Sequence, residues 1–112
     1  MKILIAGASG GIGKFLAEKF CNKGFQVYGT YNSHPPMKDL AYKMTKVDVT
    51  QESDIESWIN NVTNSSDKLC LIYSAGINYN CFSHKAEMNK WIEVIKVNLI
   101  GAQFVLKHIL PI

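Results

Sequence analysis

The sequence contains no arginine: all twelve of its basic residues are lysines, scattered from Lys2 to Lys107. Without a planar guanidinium fork, any phosphate this chain holds must be gripped by backbone N–H groups, hydroxyls or lysine. The lysines form no run, so the formal net charge of +3 belongs to solvated faces and does not build a nucleic-acid-binding stripe. Long apolar runs are also missing. The first, Ile3 to Ala6, is too short for a signal peptide and nothing approaches a membrane span. Cysteine is scarce and odd in number: Cys21, Cys70 and Cys81 have no metal-ligand spacing, and their apolar neighbours point to buried free thiols in a reducing compartment. His34, His84 and His108 likewise lack partners at metal spacing. The expectation is a cytoplasmic protein with no metal and neither a nucleic-acid nor a membrane partner.

What is present suits one globular domain: 112 residues, 47% apolar and 19% charged. Residues 2–6 are a short apolar run ended by glycine, the pattern of a strand buried on both faces. Ile12, Phe15, Leu16 and Phe20 then fall on one helical stripe that Gly24 is placed to stop. Residues 25–30 predict a second strand, and a loop broken by Pro35 and Pro36 precedes a third at 45–50. Thr50 or Ser53 is placed to cap a helix carrying Ile55, Trp58, Ile59 and Val62. A strand at 68–76, a loop and a long helix at 87–109 complete the chain, with Pro111 just beyond. This order describes parallel βαβ units with right-handed crossovers. The expected fold is α/β, about four parallel strands with flanking helices, the N-terminal half of a doubly wound sheet. On that reading 1–112 is a single domain incomplete at its C-terminus.

The stretch "GASGGIG" places Gly7, Gly10, Gly11 and Gly13 between the first strand and the first helix. A phosphate there needs a sharp turn, close backbone approach and room for the helix to pack on the sheet, and glycine meets all three needs. A tight turn with no ligand would show the same residues. An NTPase phosphate loop is disfavoured because Ala8 and Phe15 stand where its first glycine and its metal-binding hydroxyl belong.

Four motifs in register, "GASGGIG", "VDVT" at 47–50, "YSAGIN" at 73–78 and "VNLIG" at 97–101, resemble the short-chain dehydrogenase/reductase family over the whole chain. The resemblance implies a Rossmann-like dinucleotide-binding fold. It makes Gly7, Ser9, Gly10, Gly11, Ile12 and Gly13 the diphosphate turn, with Ala6 in place of the family's threonine. It gives Asp48 the adenine amino group and Val49 the face of the ring. Ser74, Ala75 and Gly76 then pass close to the ribose and nicotinamide, although Tyr73 and Ser74 replace both asparagines of the family's N-N-A-G. Asn98 resembles the family's helix-breaking asparagine, which holds a water of the proton relay. The glycine spacing also fits a larger epimerase-like branch; "SAG" and "VDVT" favour the smaller single-domain branch.

An acidic residue at the end of the second strand would select NAD by accepting the ribose hydroxyls. Positions 28 to 38 hold no Asp or Glu. Thr30, Asn32 and Ser33 offer donors, with Lys14 or Lys38 for charge, so the lean is toward NADP over NAD. The family's catalytic tyrosine stands four residues before a lysine, and a serine lies upstream. Tyr42 to Lys46 has that spacing but falls far too early, ahead of the third strand. The catalytic serine, tyrosine and lysine are therefore expected beyond residue 112. The implied activity is hydride transfer between nicotinamide and a carbonyl or alcohol substrate in the complete enzyme, with a homo-oligomer formed through the helix 87–109. Two other readings stand beside it: a non-catalytic dinucleotide-binding regulatory or interaction module, and a structural domain with an empty turn.

Overall fold

The computed structural model describes residues 1–37 and 40–112. Four strands, β1 (Lys2–Ala6), β2 (Gln26–Tyr31), β3 (Lys43–Lys46) and β4 (Leu69–Tyr73), form one sheet in the order β3-β2-β1-β4. All three pairings are parallel, with Ile3 opposite both Val27 and Cys70. Helix α1 (Gly11–Asn22) joins β1 to β2, and α2 (Glu52–Val62) joins β3 to β4. This is the Rossmann arrangement, a doubly wound parallel sheet.

β1 lies at the centre, and successive side chains of a strand point to opposite faces. Leu4 and Ala6 enter a core with Ile55, Trp58, Ile59, Val105 and Ile109. Ile3 and Ile5 enter a second core with Ala17, Val27 and Tyr42. Both faces are covered, which explains why β1 is a continuous apolar run and not an alternating one. Gly24 ends α1 with φ +88°, a conformation that costs glycine no Cβ clash.

Several boundaries differ from the sequence expectation. β3 covers 43–46, not 45–50: Val47 N–H makes a last bond to the Tyr31 carbonyl at 2.8 Å, and the chain then leaves the sheet, with Val47 and Val49 buried because it crosses the end of the core under α2. The burial of Val49 therefore reflects packing and not strand pairing. β4 stops at Tyr73, and Ser74 to Gly76 continue as loop, with Ser74 N–H still donating to the Ala6 carbonyl at 2.8 Å. Neither Thr50 nor Ser53 caps α2; Gln51 holds that position without a side-chain bond. Cys21 and Cys70 are half-buried free thiols, whereas Cys81, on the loop after β4 and outside both cores, is exposed.

The helix expected at 87–109 is interrupted. α3 (Met88–Ile95) runs into a π-helical turn at Lys96–Ile100, and α4 (Gly101–Ile109) continues from it. Pinning α4 to α2, Lys107 Nζ and His108 Nε2 lie 2.7 and 2.8 Å from Glu52 Oε2. Among the described residues, no helix is long and apolar enough to cross a membrane.

Candidate functional site

A cleft of about 370 Å³ opens over the C-terminal ends of the four strands. The chain leaves β1 for β2 on one side and later places β4 on the other, so the cleft stands at the topological switch point where open α/β sheets bind ligands.

The glycine turn forms one wall. Gly7 has φ +86°, and a Cβ on it would sit 2.6 Å from the Ala75 nitrogen. A Cβ on Gly13 would come within 1.8 Å of the Gly7 carbonyl oxygen. These two glycines therefore let the turn, the start of α1 and the end of β4 close on one another. Gly11 has φ +56°, and a Cβ at Gly10 meets nothing within 4 Å. Gly10 caps α1 with no side-chain bond, and no acidic residue lies in the first turn. The N–H groups of that turn, and the positive end of the helix dipole, are thus left without a carboxylate partner from α1 itself.

Thr30 holds this turn from beneath. It is buried, and its Oγ1 accepts from Gly7 N–H at 2.9 Å while its carbonyl accepts from Ala8 N–H at 2.8 Å. Its hydroxyl oxygen is thus committed to the turn, a role the sequence reading did not assign to it. Asn32 and Ser33 line the cleft beyond β2, where Ser33 Oγ is 3.2 Å from His34 Nδ1.

Asp48 sits on the loop after β3 and not on a strand. Its Oδ1 accepts from the Thr50 amide at 3.0 Å and from the Thr50 hydroxyl at 2.7 Å, and its own N–H donates to Asp54 Oδ2 at 3.1 Å. This Asx turn aims the 48–49 segment into the cleft. Opposite it, Asn98 grips the loop after β4: Oδ1 accepts from Ile77 N–H at 2.9 Å, and Nδ2 donates to the Ile77 carbonyl at 3.0 Å.

Of the anticipated residues, Gly7, Ser9, Gly10, Thr30, Asn32, Ser33, Asp48, Val49, Ser74, Ala75 and Gly76 line this one cleft. Gly11, Ile12, Gly13 and Asn98 are not part of its lining. The Ile12 side chain is exposed, Gly13 is consumed by helix-to-turn packing, and Asn98 acts on the wall through Ile77. The Lys38 position falls outside the described residues. Tyr31, His34, Val47, Ile77, Glu93 and Val97 also line the cleft and were missed. Tyr31, Val47 and Ile77 directly follow or precede anticipated residues, so adjacency was a usable signal. Glu93 and Val97 were not findable locally: they are one helical turn apart on an element that reaches the cleft only through tertiary packing.

The family profile described as short chain dehydrogenase matches residues 1–112. The chain belongs to that family. Short-chain dehydrogenase anuB of Penicillium roqueforti is 34% identical over 98 residues, covering 82% of this chain and 34% of its own length. The 3-oxoacyl-acyl-carrier-protein reductase FabG of Salmonella typhimurium is 29% identical over 103 residues, covering 86% and 42%. Among solved structures, ligand-free aldohexose dehydrogenase of Thermoplasma acidophilum superposes with a TM-score of 0.88 at 28% identity, covering 98% of this chain and 43% of that one. The chain thus spans between a third and a half of the length of these relatives. The relatives are dehydrogenases and reductases by name, which makes an oxidoreductase the type of protein to which this chain is similar.

Proposed function

We propose that this chain is the dinucleotide-binding part, a single domain over 1–112, of an NAD(P)-dependent oxidoreductase that moves hydride between nicotinamide and a carbonyl or alcohol. The observation that carries the reading is the glycine turn at the switch point of the sheet: Gly7, Ser9 and Gly10, the residue that caps α1, line the cleft, and the first turn of α1 behind them carries no acidic side chain. Backbone N–H groups of residues 9–13 would hold the diphosphate, which suits a chain without arginine. Asp48 would accept from the adenine amine through its second carboxylate oxygen, and Val49 would cover the ring. Ser74 to Gly76 would lie along the ribose and nicotinamide, and Asn98 would serve the proton relay.

NADP is favoured over NAD: no Asp or Glu occupies 28–38, and Asn32, Ser33 and His34 line the cleft where a 2′-phosphate would enter. Tyr42 packs into the core beside α1, where it cannot reach the cleft as a proton donor. The catalytic serine, tyrosine and lysine are therefore assigned to residues outside this sequence. Free thiols agree with a cytoplasmic location, and the exposed apolar face of α3 and α4 agrees with a homo-oligomer.

Calorimetric titration with NADPH and NADH tests the reading. Saturable binding is expected, tighter for NADPH. Gly10→Asp adds a carboxylate where a Cβ meets no other atom, at a helix-capping position that favours aspartate. It should weaken binding about tenfold or more while the fold survives. Failure of the unaltered chain to bind either nucleotide would sink the proposal.

A further inference from the structure

The π-helical turn at Lys96–Ile100 redirects one hydrogen bond. Gly101 N–H donates to the Lys96 carbonyl, five residues back, where a regular α-helix would send it to Val97, four back. The Val97 carbonyl thereby loses its ordinary donor. The Tyr73 hydroxyl, from the last residue of β4, donates to it instead.

Gly101 makes this possible. A Cβ there would sit 2.5 Å from Tyr73 Oη and 3.0 Å from the Val49 carbonyl oxygen, so the phenol occupies the space that any other residue would fill. Burial pushes the Tyr73 phenol up to about 12, which keeps it a donor throughout the physiological range. Directly after Val97, Asn98 makes its two bonds to the Ile77 backbone. Ile77 and Val97 both line the cleft.

We propose that Tyr73 is a positioning residue: its hydroxyl holds the π turn open, and the open turn lets Asn98 clamp Ile77 and set the wall of the cleft. This rests on the reading of the cleft as a dinucleotide site. Removal of the hydroxyl leaves the Val97 carbonyl short of a donor, and the nearest replacement is Gly101 N–H. Taking it restores α-helical pairing and shifts the register by one residue, a rotation of about 100°. Such a rotation carries Asn98 away from Ile77.

The test is a double-mutant cycle with Tyr73→Phe and Asn98→Ala on the full chain, read by NADPH calorimetry and by amide exchange in nitrogen-15 NMR. Tyr73→Phe keeps the ring and removes only the hydroxyl. Exchange at the Ile77 amide should accelerate about tenfold or more while Leu4, central in the sheet, stays protected. NADPH affinity should fall about tenfold in either single variant, and the double variant should bind no more weakly than Asn98→Ala alone. Additive losses, or unchanged exchange at Ile77 in Tyr73→Phe, would overturn the proposal. Gly101→Ala, which displaces the hydroxyl with a methyl group, interrogates the same link if Tyr73→Phe does not fold, and should also accelerate exchange at Ile77. If the unaltered chain binds no NADPH, the cleft reading fails, yet Ile77 exchange still decides the role of Tyr73.

Discussion

Thr30 shows how a single side chain can shape this cleft without being recognisable as doing so. In the sequence it is one hydroxyl among several at the end of a strand. In the fold it is 1% exposed, and its Oγ1 is the acceptor for Gly7 N–H, 23 residues away. Thr30→Val keeps the shape and leaves that amide without its partner, which costs about 1–3 kcal/mol. Urea denaturation should show the midpoint falling for Thr30→Val but staying near the unaltered value for Thr30→Ser. A valine variant as stable as the parent would mean that the turn does not depend on this bond. The glycines are the opposite case. Their demands, a positive φ at Gly7 and helix contact at Gly13, are local to a strand–turn–helix unit and so are readable from spacing.

At the scale of elements, α2 and α4 are joined by Glu52 with Lys107 and His108. The hydrogen bond from Lys107, and then that from His108, holds the Glu52 carboxyl below its ordinary 4.5. A carboxyl depressed in the fold contributes stability above its unfolded value, and loses it as pH falls through the folded value. Unfolding free energy should therefore decline below about pH 5, and Glu52→Gln should flatten part of the decline. Asp67, held low by Lys2, supplies a further part over the same range. Because the groups are near the surface, the effect should shrink in high salt. A profile for Glu52→Gln that parallels the parent's would remove Glu52 from the explanation. The same scale accounts for the displaced third strand: alternating valines at 47 and 49 look like a ladder, but only the packing of α2 and α4 over them tells a buried loop from a strand.

For the whole molecule, coverage is uneven. β1 is buried from Ile3 to Ala6, while β4 is only half-buried along its length and pairs on one side with β1 among the described residues. From α3 through the π turn to the residue that ends α4, Met88, Trp91, Leu99 and Leu110 are at least 50% exposed. An unpaired strand edge beside exposed apolar side chains favours association. Light scattering at micromolar concentration should therefore give a dimer or larger species. A mass of 12.5 kDa would show that these surfaces tolerate water.

The sequence alone determined the βαβ order, the glycine turn and the family, because each depends on residues close together in the chain: apolar periodicity, turn glycines and four short motifs. It also located most of the cleft, since strand ends converge on one edge of any parallel sheet. Only the tertiary structure decided what those residues touch. That Thr30 serves the turn, that Asn98 holds Ile77, and that Tyr73 reaches a carbonyl released 24 residues away are consequences of packing between distant segments. No local pattern encodes them, because a hydrogen-bond donor does not reveal its acceptor until the fold brings the two together.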